Sequence, residues 1–177
     1  MFEECETHTF PIDCFEIAEK LCYTVRSYSS LNTTELQEAY SISDDAFSRV
    51  EVHPITGMNI YVIYYNDLQF SAAHYRWSIF HEIGHIYLGH HDNPDDRFLE
   101  DEEAEANFFA RYASAPCPLV YGTKCQNDYD VAERFYLSSP ASHWAFVSFQ
   151  NWLRYGPREI LPYELTMMKQ FHLAIAS

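Results

Sequence analysis

Five consecutive residues, His81, Glu82, Ile83, Gly84 and His85, place two histidines four positions apart, and that spacing constrains the local fold more than any other feature of the chain. On an α-helix of about 3.6 residues per turn the two imidazoles share one face, separated by one turn, and both reach a single ion. On a strand they would stand about 13 Å apart. The motif therefore predicts a helix from Ser71 to about Leu88. Ser71 is placed to cap the first turn through its side-chain oxygen, and Gly89 suits the left-handed position past the end.

An H-E-x-x-H helix points to metal-assisted hydrolysis. Zinc accepts neutral imidazole nitrogens, keeps one of four positions open for water, and lowers the pKa of that water to about 7. His81 and His85 are the expected ligands and Glu82 the expected base; manganese or iron could occupy the same donors. A third protein ligand is usual, and the run Asp101, Glu102, Glu103, Ala104, Glu105, Ala106, Asn107 offers it. Glu103 is the choice, with Asn107 on the same helical face. Glu105 points roughly the opposite way, and Glu102 is explained by the positive end of a helix dipole. A longer pattern, H-E-x-x-H-x-x-G-x-x-H, would instead recruit His91, but Leu88 stands where it requires glycine, and His90 is weaker still.

Elsewhere, apolar residues at Ile12, Phe15, Ile17, Ala18, Leu21, Cys22 and Val25 predict a helix over Ile12 to Val25. Arg49 to His53 and Ile60 to Tyr65 read as an antiparallel pair around a turn containing Pro54, Gly57 and Asn59. His90 to Asp101 reads as an acidic surface loop, followed by a helix from about Glu102 to Ala113 that Pro116 and Pro118 terminate. Two short helices are expected over Val131 to Leu137 and Ser142 to Leu153. The expected fold class is α+β: a single domain, with a small antiparallel sheet against the H-E-x-x-H helix. Residues 1–45 form an N-terminal helical region, 46–119 the sheet and metal-site core, and 120–177 a C-terminal helical region.

The formal charge of −15 argues against direct contact with nucleic acid, which demands clustered cations. No apolar stretch approaches the roughly 20 residues that span a bilayer, and the first residues lack a signal peptide's basic and apolar regions. The five cysteines are odd in number, without a C-x-x-C pair, so neither a disulfide framework nor a zinc knuckle is suggested, and a cytoplasmic location is expected.

From Ile60 to Leu119 the chain resembles the ImmA/IrrE family of metallopeptidases, in which the H-E-x-x-H helix precedes a helix reading E-x-x-A-N-x-F-A and then a proline. Glu103, Ala106, Asn107, Phe109, Ala110 and Pro116 occupy those places, and Val131, Ala132, Phe135, Leu137 and Ser138 continue a weaker likeness. The stretch Ala113, Ser114, Ala115 departs from the bulkier residues usual there. The resemblance implies a zincin-like core, Zn2+ on His81, His85 and Glu103, and Glu82 as general base. It further implies endopeptidase action on a helix-turn-helix transcriptional repressor, often encoded beside the enzyme on mobile elements. The alternative is a zinc-stabilised anti-repressor that binds a regulator without cutting it.

Three further expectations follow from that chemistry. The strand from Ile60, with Tyr61 to Tyr65 at its edge, aligns the peptide. Tyr75, Tyr112 and His143 are candidate oxyanion donors, each equally explained as core. The acidic stretch from Asp92 to Asp101 either draws in a basic substrate or is simply a solvated surface.

Overall fold

The computed structural model describes residues 1–92 and 99–173. By its contacts the chain falls into two compact units, Cys14–Ala110 and a second made of Met1–Asp13 with Arg111–Ser177.

The first unit is α+β. Its three-stranded sheet has the order β1-β3-β2, with β1 (Thr24–Ser27), β2 (Ala46–Val52) and β3 (Asn59–Tyr65). β2 and β3 form the expected antiparallel pair, in a register that sets Ser48 opposite Ile63 and Val50 opposite Tyr61. β1 runs parallel to β3, from Thr24 opposite Val62 to Ser27 opposite Tyr65, so the sheet is mixed rather than antiparallel. β3 is therefore central, with both sides committed to pairing, and cannot be the edge that aligns a peptide. The edges belong to β1 and β2.

β1 lies where the sequence predicts helix. α1 (Cys14–Lys20) stops early because Cys22 adopts φ 61°. The Cys22 amide donates to the Glu19 carbonyl at 2.9 Å and the Tyr23 amide to the Ala18 carbonyl at 2.8 Å, a Schellman closure built without glycine. Thr24 and Val25 beyond it are β-branched and suit a strand.

Alternation along the strands sorts the two faces of the sheet. Phe47, Val62 and Tyr64 point to one side and form a buried cluster with Tyr28 and Ala39, against which Leu36 packs. Leu36 and Ala39 belong to α2 (Thr33–Ile42), a helix the sequence reading did not anticipate. Its start is a capping box: Asn32 Oδ1 accepts from the amides of Thr34 and Glu35 at 3.0 Å, and Glu35 Oε2 accepts from the Asn32 amide at 3.0 Å.

The opposite face receives α1 and α3 (Ala72–Tyr87). Tyr65 meets Phe15 of α1 at 5.6 Å and Tyr75 of α3 at 4.9 Å between ring centroids. Ser71 is the N-cap, but its hydroxyl makes no capping bond; its carbonyl accepts from the His74 and Tyr75 amides. Gly89 has φ +80° and turns the chain out of the helix as expected, leading to a short 3-10 turn, His90–Asp92. α4 (Leu99–Ser114) starts three residues before the predicted Glu102, so Leu99 to Asp101 are helical rather than loop. The rest of the acidic stretch, 93–98, lies outside the described residues.

The second unit is helical, with α5 (Cys117–Gly122), α6 (Asp128–Phe135), α7 (Ser139–Tyr155) and α8 (Pro162–Gln170). Pro116 and Pro118 both end α4 and begin α5, and Pro140 sits in the first turn of α7, where a missing amide costs nothing. The N-terminal segment is tied in by Phe2 against Phe171 and Phe10 against Phe135, and by Gln170 Nε2, which donates to the Phe2 and Thr7 carbonyls at 2.7 Å. Ala113, Ser114 and Ala115 are all buried. Among the described residues no helix is long and apolar enough to cross a membrane.

Candidate metal centre

α3 carries His81 and His85 on one face, and α4 supplies Glu103. The two helices approach closely at Gly84, where a Cβ would lie 3.1 Å from two side-chain carbons of Phe109. The glycine of the motif thus lets α4 come near enough for its carboxylate to reach the histidines.

His85 Nε2 and His81 Nε2 are 3.0 Å apart, Glu103 Oε2 is 3.3 Å from His81 Nε2, and Glu103 Oε1 is 3.2 Å from His85 Nε2. A tetrahedral ion with bonds of about 2.0–2.1 Å holds its ligands about 3.3 Å apart, so the spacing fits. The donor set, two imidazoles and a carboxylate, fits zinc and leaves a fourth position open. His81, His85 and Glu103 thus come together as a group that could hold a metal.

The electrostatics favour neutral rings. Burial lowers the His81 pKa, against the opposing pull of the Glu103 charge. Burial, then the neighbouring His81, lowers that of His85 to about 4. Neutral imidazole is the form that binds a cation.

Glu82 lies beside this group and is 8% exposed. Burial raises its pKa to about 7, partly offset by the Ser48 hydroxyl, which donates to Glu82 Oε2 at 2.6 Å. Ser48 Oγ is also 2.9 Å from His91 Nε2. His91 therefore contacts the serine that holds Glu82 and is outside the convergent donor group, as Leu88 in place of glycine implies.

Three residues escaped the sequence reading. Ser48 carried a legible signal: strand alternation sets it opposite in direction to Phe47, toward α3 rather than the apolar cluster. His90 was ranked below His91, yet its Nδ1 lies 3.0 Å from Nδ1 of His85. Glu105, which points away from Glu103 and stays outside the donor group as expected, meets His90 Nε2 at 3.1 Å. Neither contact follows from spacing, because both depend on the course of the chain after Gly89. The Asn107 side chain lies close enough to His81 to favour its protonated ring by hydrogen bonding, although the buried His81 Nδ1 has no partner of good geometry.

Of the candidate oxyanion donors, Tyr75 packs among Tyr65 and Phe15, an aromatic core role. Tyr112 and His143 belong to the other compact unit, where His143 Nδ1 lies 3.3 Å from Asp128 Oδ2.

No curated protein and no solved structure matches the chain significantly. The IrrE N-terminal-like domain, a peptidase family, matches residues 30–120, a span of just over half the chain that begins before α2 and ends in α5. That span contains β2 and β3, both helices that carry the donor group, and Glu82 with its serine partner, so the chain belongs to the IrrE N-terminal-like family of peptidases.

Proposed function

We propose that the chain is a zinc-dependent endopeptidase with a zincin-like site, acting as one domain over its 177 residues. The observation that carries this reading is the convergence of His81, His85 and Glu103 beside a buried carboxylate, Glu82, held by a serine. His81, His85 and Glu103 hold the metal. A bound zinc ion supplies Lewis acidity, making water more acidic and polarising the scissile carbonyl.

The chain's own groups do the remainder. Glu82 takes the proton of the attacking water and passes it to the departing amine, so that a carboxylate and a carboxylic acid alternate within one turnover. The Ser48 hydroxyl, with the Ser48 amide, orients the Glu82 carboxylate for this work. Of the two sheet edges, β2 carries Ser48 and so lies along the site; an extended peptide adds to that edge by backbone hydrogen bonding.

The substrate we propose is a helix-turn-helix repressor, on the strength of the family resemblance together with the −15 charge, which suits a basic protein partner better than DNA itself. A cytoplasmic location goes with that target. Incubation of zinc-loaded protein with a co-encoded repressor tests the reading. Wild type should release defined repressor fragments, and Glu82→Gln should bind zinc but release none. Inactivation of the repressor by both proteins without fragments would establish the non-cleaving anti-repressor instead.

A further inference from the structure

The ladder between β2 and β3 fixes which groups of β2 face outward. At one end the His53 amide donates to the Met58 carbonyl at 2.8 Å, and at the other the Asn66 amide donates to the Asp45 carbonyl at 2.8 Å. Bonded pairs alternate along an antiparallel ladder, so the odd-numbered residues of β2 bond to β3, and the amides and carbonyls of Ser48, Val50 and Val52 face the open edge. Side chains alternate with the same period, so those of Ser48, Val50 and Val52 lie on the α3 face of the sheet, opposite in direction to Phe47. Glu82 engages Ser48 through both its hydroxyl and its amide, which sets the buried carboxylate against this edge. The next two residues facing the same way are Val50 and Val52, 43% and 66% exposed.

Open edges are normally blunted by charge. Here the two charged residues of β2 turn to the other face. Arg49 donates to Glu51 and to Glu38, each at 2.7 Å, and Glu51 also accepts from the Tyr64 hydroxyl. The α3 face of the edge is left apolar, with Val50 opposite Tyr61, whose ring centroid lies 6.0 Å from that of His91.

We propose that Val50 and Val52 are specificity-determining residues, two apolar subsites that select peptides with aliphatic or aromatic side chains at two positions separated by one residue, on one side of the scissile bond. The inference rests on the reading of the chain as an endopeptidase whose substrate adds to β2. A strand rises about 3.4 Å per residue, so the subsites lie about 7 and 14 Å along the edge from Ser48. A peptide bonded to the backbone of Val50 and Val52 therefore brings its next residues to Glu82. Its side chains opposite the two valines share their face and touch them. The residue between them turns to the face of Arg49 and Glu51 and is not selected for apolar character. Backbone bonding supplies affinity for any extended chain, and the alternate side chains supply the choice among chains.

Zinc-loaded Glu82→Gln protein, in which turnover is removed, should be titrated with two blocked peptides, acetyl-Lys-Val-Thr-Val-Lys-amide and acetyl-Lys-Ser-Thr-Ser-Lys-amide, while the amide signals of Val50 and Val52 are followed by NMR. We expect the valine peptide to shift both signals and to bind about 10-fold or more tightly than the serine peptide, because its two side chains bury apolar area that serine lacks. Val50→Thr and Val52→Thr keep a β-branched side chain at an exposed strand position, so the fold is retained, and each should weaken the valine peptide about 3- to 10-fold. Equal binding of the two peptides, or no shift at Val50 and Val52 on adding the valine peptide, would overturn the subsites. So would signals that move with protein concentration alone, which would put a second copy of the chain on the edge. Cleavage decides the underlying reading separately. Zinc-loaded wild type should cut a tryptic digest of soluble cell protein with apolar residues enriched at two alternate positions beside the cut; a digest left intact would overturn the endopeptidase reading, and the NMR titration would still decide the subsites.

Discussion

Ser48 on β2 and Glu82 on α3 are joined by a hydrogen bond of 2.6 Å, across 34 positions of sequence. The hydroxyl donates to an oxygen that burial would otherwise leave poorly solvated, so it both orients the carboxylate and offsets part of its raised pKa. Removal of the hydroxyl should leave zinc content untouched and act on turnover. Ser48→Ala should lower kcat roughly 10- to 100-fold, as expected for a hydrogen bond to a charged group worth about 1.5–3 kcal/mol, with KM little changed. Ser48→Thr, which keeps the donor, should recover most of it. A Ser48→Ala protein that turns over a cleavable substrate at the wild-type rate would count against the assignment.

The donor group predicts a sharp division among variants. His81→Ala and Glu103→Ala should each lose bound zinc by elemental analysis, since each removes one of three converging ligands. His91→Ala should retain the metal because its Nε2 is bonded to Ser48. Metal loss in His91→Ala with retention in Glu103→Ala would reverse the choice of third ligand.

Gly84 tests the closeness of the two site helices. A side chain there meets Phe109 at 3.1 Å, tighter than ordinary carbon contact. Gly84→Val should cost about 1–3 kcal/mol in stability through overpacking and should weaken zinc binding by pushing α4 outward. Wild-type values for both in a denaturant titration and a zinc competition assay would refute the close-approach explanation.

Alkaline pH should weaken the packing of the sheet against α2 through Tyr28. Its hydroxyl donates to the Ser43 carbonyl at 2.8 Å, and burial, then the nearby Tyr40 and Asp45, raises its pKa to about 12. A pKa raised above that of the unfolded chain, about 10, means stabilisation that is complete below pH 10 and lost as pH climbs toward 12. Tyr28→Phe should cost about 1 kcal/mol at pH 7, and its deficit relative to wild type should shrink above pH 10. Urea titrations between pH 7 and 11 check this; a deficit that stays constant with pH would disprove it.

The sequence by itself determined the elements whose signals are local. The spacing of His81 and His85 required a helix, Gly89 ended it, and alternation from Ile60 to Tyr65 required a strand, all of which the fold contains. Glu103 was legible because its position on α4 is also set by helical period. Some local signals were present but unread: Asn32 with Glu35 at the start of α2, and Pro162 with Glu164 at the start of α8. Other features had no local cause. The parallel pairing that makes β3 central joins Thr24 to Val62 and is stabilised only when the chain folds back upon itself. Apolar spacing from Ile12 to Val25 served helix and strand alike, so tertiary pairing decided between them. Only the fold could bring Ser48 to Glu82, or Glu105 and His90 to His85, because hydrogen bonds act over about 3 Å in space and carry no trace in sequence separation.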